Sequence, residues 1–75
     1  MDNAQTAQII KAECKKKNIS IKKMLSESNV RKGLIYDLEK RDYSPAPELL
    51  EKIADYLDVS VDYLIGRTEN PEVNK

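Results

Sequence analysis

Two adjacent basic residues, Arg31 and Lys32, stand at the start of a short amphipathic segment that ends near Arg41. Both side chains donate hydrogen bonds, and both can bond the O6 and N7 atoms of guanine. Positive charge at the start of a helix opposes the helix dipole, at a cost of about 0.3–1 kcal/mol for each residue. Because a costly local arrangement often marks a functional position, the pair predicts contact with the edges of DNA bases.

Gly33 follows this pair directly. A glycine inside a helix costs roughly 1 kcal/mol relative to alanine, but it lets the backbone approach a ligand closely. We therefore include Gly33 among the predicted base-contacting residues. The alternative is a solvated basic turn that contains a glycine without a functional role.

Two predicted short helices and the turn between them position these residues. Ser20 is suited to cap the first helix, and Ser28 and Asn29 end it, because asparagine tolerates the left-handed conformation of a tight turn. Val30 follows as an apolar plug, and the second helix runs from about Lys32 to Arg41. This layout is a helix-turn-helix, a unit that places its second helix in a DNA groove. The apolar residues of the two helices predict their buried faces: Ile21, Met24, Leu25, Leu34, Ile35 and Leu38.

Three further helices are predicted around this unit. The first runs from Asp2 or Asn3 to about Lys17, and the fourth has Pro47 in its first turn. The fifth begins after Ser60 and ends at Gly66. The prediction is an all-α domain of five short helices over residues 1–66, followed by a polar tail over residues 67–75.

The charge distribution is asymmetric although the net charge is zero. Residues 1–44 carry ten Lys and Arg against six Asp and Glu, a net charge of +4, and residues 45–75 carry three against seven, a net charge of −4. Attraction to phosphates depends on the local patch more than on the total charge. The first half of the chain is therefore the half suited to DNA.

Several classes of function lack the residues that they require. The chain has no histidine, no glycine-rich phosphate loop and one cysteine, so we expect no enzyme activity, no metal site and no cofactor. The absence of an apolar leader or a long apolar run predicts a soluble, cytosolic protein without membrane contact. For Cys14 two hypotheses remain open: a small buried residue, or a thiol whose pKa is lowered by Lys11 and Lys15.

From about Ile9 to Gly66 the sequence resembles the phage-repressor-type helix-turn-helix family, the Cro-like or Xre-like domains. The motifs that carry the resemblance are ISIKKML, the NV turn, Ile35 with Leu38 and Glu39, Pro45, and the closing segment ELLEKIADYLDVSVDYLIG. The resemblance implies a compact, lambda-repressor-like bundle of five helices that binds double-stranded operator DNA, often as a homodimer, with the third helix in the major groove.

The resemblance also extends the set of candidate contacts. Tyr36 and Asp37 take positions that contact bases: tyrosine can touch a thymine methyl group, and aspartate can accept from cytosine N4. Asp37 has an alternative, a surface ion pair with Arg41. The residues predicted to contact phosphates flank the two helices of the unit: Ser20, Lys22, Lys23, Lys40, Arg41, Tyr43 and Ser44.

The sequence departs from the family pattern inside the helix-turn-helix. Ile21 replaces a frequent glutamine near the DNA backbone, and Asn29 and Arg41 replace common glycines. Leu25 stands where a small alanine is characteristic, and Ser28 where a large apolar residue is common, so we expect a compensating exchange of size. The sequence specificity of related domains therefore does not transfer to this chain.

Two functional hypotheses follow. The first is a transcriptional regulator, a repressor in its simplest form, that binds DNA as a homodimer through Val61, Tyr63 and Ile65 of the fifth helix. The alternative is an interaction module of the same fold, such as an antitoxin that holds a toxin. In that case the toxin would be basic, and it would contact acidic residues in the second half of the sequence: Glu48, Glu51, Asp55, Asp58 and Asp62.

Overall fold

The computed structural model describes residues 3–40 and 45–70. Within these two ranges the chain forms five α helices and no strand: α1 (Asn3–Lys16), α2 (Ile21–Glu27), α3 (Leu34–Glu39), α4 (Pro47–Leu57) and α5 (Val61–Leu64). Helix α1 packs against α2, α3 and α5, while α4 packs against α2 and α5. The prediction of an all-α domain of five helices is confirmed for the described residues.

One apolar core joins all five helices. Helices of four to fourteen residues are too short to be stable alone, so burial of this core holds them together. The connecting segments contribute as well, because Val30 before α3 and Val59 before α5 are buried. The largest fully buried apolar side chains come from every helix: Ile10, Met24, Leu34, Leu38, Ile53, Leu57 and Leu64.

The helix ends follow the sequence closely at four points. The hydroxyl oxygen of Ser20 accepts a hydrogen bond from the Lys23 amide at 3.0 Å, and that of Ser60 accepts one from the Tyr63 amide at 3.0 Å. Asn29 ends the turn after α2 in the left-handed conformation, at a φ of 61°. Pro47 occupies the first turn of α4. The two predicted caps, the turn and the predicted first turn are confirmed.

Gly66 follows α5 with a φ of 80° and lies directly over α1. A Cβ atom at this position would come within 2.9 Å of Oε1 of Gln5. The positive φ therefore favours glycine here, whereas the Gln5 side chain could move aside.

The third helix is shorter than the sequence predicts. Its predicted start at Lys32 is wrong, because the Leu34 amide donates to the Arg31 carbonyl at 3.2 Å and closes a turn over the intervening residues. The first bond of the helical ladder runs from the Asp37 amide to the Gly33 carbonyl at 2.9 Å. Gly33 is thus the cap of α3 and not an interior residue. The free-energy cost of a glycine inside a helix therefore does not apply to Gly33.

The buried side of the bundle contains polar residues as well. Leu25 and Ser28 are both buried, in agreement with an exchange of size between them, and the Ser28 hydroxyl donates to the Met24 carbonyl. Glu13 on α1 is only 2% exposed, which is unusual for a charged residue. Its Oε2 atom has no hydrogen-bond partner among the described residues.

Candidate nucleic-acid interface

The turn before α3 places Arg31 against the helix that follows. Its Nη1 atom forms an ion pair with Oδ2 of Asp37, six residues further along the chain. The pair crosses Gly33: a Cβ atom built there would lie 3.7 Å from the arginine Nη1 and 3.9 Å from the aspartate Oδ2. The backbone face that glycine leaves open is therefore covered by the chain's own ion pair.

Asp37 thus has a partner other than the one considered from the sequence. Helical spacing offered Arg41, but Arg41 lies outside the described residues, as do Tyr43 and Ser44. The structure pairs Asp37 with Arg31, from the turn. No helical spacing rule relates these two positions, because only Asp37 belongs to α3.

Tyr36 projects from the outer face of α3. It is the one large hydrophobic side chain among the described residues that is strongly exposed, at 65%. The Nζ atom of Lys40 lies 4.4 Å from the centre of its ring, within the range of a cation–π contact. Tyr36, a candidate base contact, and Lys40, a candidate phosphate contact, therefore lie side by side.

Lys32 is exposed beside the Arg31–Asp37 pair. Within residues 3–40 and 45–70 its ammonium group forms no ion pair with the protein. A lysine ammonium is a point charge with three donors on a flexible stem, so it can adapt to a guanine edge or to a phosphate.

The remaining predicted phosphate contacts lie at the start of α2. Ser20, Lys22 and Lys23 are all exposed. The Ser20 oxygen accepts from the Lys23 amide, which leaves the hydroxyl hydrogen able to donate to another group. The lysines and the cap thus stand together at one helix end, as predicted.

Two side-chain contacts that the sequence analysis missed tie this region to the rest of the bundle. Lys11 on α1 forms an ion pair with Glu39 at the end of α3 at 3.1 Å. The Tyr56 hydroxyl on α4 donates to Oε1 of Glu27 at the end of α2, and this bond raises the pKa of Tyr56. These partners are 28 and 29 residues apart, so no local spacing signals them.

Cys14 is buried on α1, as the first of the two hypotheses states. Burial, followed by the nearby Glu13 carboxylate, raises the pKa of this thiol above its ordinary value. The hypothesis of a lowered thiol pKa is therefore wrong, because desolvation disfavours the thiolate.

The described residues offer neither a metal-binding cluster nor a membrane-spanning helix. Across residues 3–40 and 45–70 no cluster of three His, Cys, Asp or Glu side chains is placed to hold a metal ion. Among the helices of these ranges, none has the length and hydropathy that a membrane crossing requires.

A shallow pocket lies between α4 and α5, away from the turn before α3. Ala54 and Val59 contribute apolar surface to it, and the acidic residues Glu51, Asp55 and Asp62 line it as well. The candidate dimer residues are close by and are half-buried: Val61 and Tyr63 pack against the core, and Ile65 follows the end of α5.

Comparison with known proteins agrees with this geometry. The family model described as helix-turn-helix matches residues 10–64, more than half of the chain. Neither the search of curated proteins nor the search of solved structures found a significant match. The matched range contains α2, the turn and α3 complete, together with the core that supports them. The chain belongs to the Xre/Cro-like helix-turn-helix family of DNA-binding domains.

Proposed function

We propose that this protein is a cytoplasmic, sequence-specific transcriptional regulator that represses by occupying operator DNA. The observation that carries the proposal is the exposed surface formed by α3 and the turn before it. Arg31, Lys32 and Tyr36 are exposed there on a segment whose apolar side is anchored in the core. A rigid helix with such a face is the element that this family of domains inserts into the major groove.

In this proposal α3 and the turn before it, residues 31–37, face the base edges. Arg31 and Lys32 supply donors for guanine, and Tyr36 supplies an apolar edge for a thymine methyl group. The exposed Ser20, Lys22 and Lys23 contact the phosphates on one side of the groove, and Lys40 contacts them after α3. Arg41, Tyr43 and Ser44 extend that second set of contacts.

The regulator acts as a homodimer in this proposal. Half-buried side chains of α5 and the residue after it, Val61, Tyr63 and Ile65, form the candidate contact between copies. Two copies would place two α3 helices about 34–36 Å apart, one turn of the duplex. Sedimentation velocity over a range of concentrations, with and without operator, measures this state. A monomer under every condition contradicts the dimer and leaves DNA binding to be judged separately.

The test of DNA binding begins with selection from random duplexes at stated salt. A palindromic consensus is expected, since two related copies bind related half-sites. Arg31→Ala and Lys32→Ala should each weaken binding to the selected site by about 1–3 kcal/mol and relax the preference at one base pair. Fluorescence anisotropy titrations on the consensus and on its single-base variants measure both effects.

The matched control is Arg67→Ala, which removes an exposed arginine that follows α5 and lies outside the helix-turn-helix. Its affinity for the consensus should stay near that of the unchanged protein. Full affinity after removal of both Arg31 and Lys32 would overturn the base-contact assignment. Failure to enrich any sequence would overturn the proposed function itself.

A second candidate function is suggested by the pocket between α4 and α5. Its apolar surface with three acidic side chains suits a basic, partly apolar segment of a partner protein, as in an antitoxin bound to its toxin. Purification of the tagged protein from its native lysate tests this. A small basic protein at equal stoichiometry, released by Asp55→Lys, supports the second candidate. Recovery of DNA alone argues against it.

A further inference from the structure

We infer that Asp37 is a positioning residue that holds the Arg31 guanidinium in place for a guanine, and that it does not contact a base itself. This inference rests on the proposed function, because it concerns how the same surface selects DNA. It changes the role of one of the five candidate base-contacting residues. It also predicts that Arg31 and Asp37 act together in base recognition.

The geometry of the turn carries the inference. Arg31 precedes α3 and Asp37 lies within it, yet the side chains meet over Gly33. The aspartate side chain is 20% exposed, whereas that of the arginine is 51% exposed. The carboxylate is therefore the inner member of the pair, and the guanidinium is the outer member that faces an approaching duplex.

Gly33 lies directly beneath this ion pair, at distances that an alanine Cβ would also tolerate. Its φ of −85° is available to any residue, so the backbone conformation does not explain the glycine. The distances of 3.7 Å and 3.9 Å from a built Cβ to the two charged atoms show that the pair occupies the space above it. The open face of Gly33, where the sequence analysis predicted a contact with DNA, is occupied by the ion pair.

Positioning matters because arginine is a long, flexible side chain. Ordering one such side chain on binding costs conformational entropy, and a contact made before binding removes part of that cost. A guanidinium has five N–H donors in a fixed fork, so one group can bond a carboxylate and a base edge together. The bond to Asp37 thus selects one orientation of the guanidinium.

The pair also separates base contact from general phosphate attraction. A carboxylate beside Arg31 offsets its positive charge, so Arg31 adds little to binding that depends on charge alone. It contributes where its orientation matches a guanine edge. When Arg31 is replaced, we therefore expect a loss of preference at one base pair, with little change in the affinity for non-specific duplexes.

The experiment is a double-mutant cycle on the selected operator. Arg31→Ala, Asp37→Asn and the double variant are titrated against the consensus, its single-base variants and a non-specific duplex. Asp37→Asn should weaken consensus binding by about tenfold and relax the same base pair as Arg31→Ala. The double variant should bind no more weakly than Arg31→Ala, and Asp37→Glu should restore part of the preference.

The matched control is Glu39→Gln, which also removes a carboxylate of α3 from an ion pair, here with Lys11 of α1 at 3.1 Å. It should leave every base preference unchanged. Thermal unfolding of each variant checks that the domain stays folded, and a loss of preference in a folded domain separates positioning from a structural role.

Three outcomes would overturn the inference. Relaxation at a different base pair, with effects that multiply in the double variant, would make Asp37 an independent base contact. Stronger binding of Asp37→Asn to all duplexes would make it a source of repulsion alone, and no effect would leave it without a role. If the unchanged protein selects no sequence, the proposed function fails instead, so the two failures are distinguishable.

Discussion

At the scale of single residues, α1 contributes two polar side chains to a largely apolar core. Thr6 and Glu13 are each at most 2% exposed, and each has a side-chain oxygen without a hydrogen-bond partner among the described residues. Burial of a polar atom without a partner costs free energy that an apolar side chain of similar size does not. These positions lower the stability of the domain.

We expect Glu13→Met to stabilise the protein. Methionine has a similar length and adapts to irregular space, so the change removes the buried carboxylate without creating a large cavity. The free energy of unfolding in urea should rise by about 1–3 kcal/mol. Glu51→Met is the control, because Glu51 is exposed on α4. A decrease for Glu13→Met would show that the carboxylate has a stabilising role.

The buried thiol of Cys14 makes stability depend on pH in the alkaline range. Its pKa in the folded state is raised above the ordinary 9.0, first by burial and then by Glu13. The folded state therefore keeps the proton at pH values where the unfolded chain has lost it. By linkage, this contribution to stability is complete below about pH 9 and is lost as the pH rises through the folded pKa.

The measurement is the free energy of unfolding of the unchanged protein and of Cys14→Ala between pH 7 and pH 10.5. The alanine variant is less stable at pH 7, because a smaller side chain leaves space in the core. The difference between the two proteins should shrink as the pH rises. The tyrosines and lysines are common to both proteins, so the change in the difference reports mainly the thiol, with a minor part from Tyr56, whose pKa Cys14 also raises. A constant difference would contradict the raised thiol pKa.

At the scale of the elements, the short helices depend on the residues between them. Asn18, Asn29 and Asp58 each adopt positive φ, and Gly66 does so after α5. Such conformations cost roughly 1–2 kcal/mol for residues with a Cβ, less for asparagine and aspartate. The turns therefore determine where the helices end and how α3 is oriented relative to α2.

The two glycines of the chain provide a matched test of this point. Gly66→Ala should lower the free energy of unfolding by about 1–2 kcal/mol, because its φ of 80° suits alanine poorly. Gly33→Ala should change it by less than about 0.5 kcal/mol, because its φ of −85° is ordinary and its new Cβ meets only van der Waals contacts. Chemical denaturation measures both, and equal effects would contradict the argument.

At the scale of the whole molecule, charge is divided between the two halves of the sequence. The exposed lysines at the start of α2 and the turn before α3 belong to the basic half of the sequence, while α4 and α5 carry the acidic residues. A neutral chain can therefore present a positive face to DNA and a negative face to solvent or to a partner. The net charge alone conceals this division.

Salt dependence tests which half contacts the duplex. With about four to six phosphates neutralised per protomer, the logarithm of the affinity should fall with the logarithm of salt with a slope of about −4 to −5. Lys22→Ala should weaken binding evenly across sequences and reduce the slope by about 1. Lys52→Ala, an exposed lysine of α4, is the control and should leave the slope unchanged. Equal effects of the two lysines would contradict the assignment.

The sequence by itself determined the number and order of the helices, because their caps, turn residues and apolar spacing are local signals. Ser20, Asn29, Pro47 and Ser60 act within a few residues of their own position, and each stands where the sequence predicted. The motif match over α4 and α5 led to the same family as the model match over residues 10–64.

Only the tertiary structure decided which side chains meet. The pairing of Arg31 with Asp37, the bond from Tyr56 to Glu27 and the burial of Glu13 carry no local signal. They depend on how the turn before α3 folds back and on how helices distant in sequence pack together. The physical reason is that spacing along one helix defines a face, whereas contacts between elements depend on the packing of the whole core.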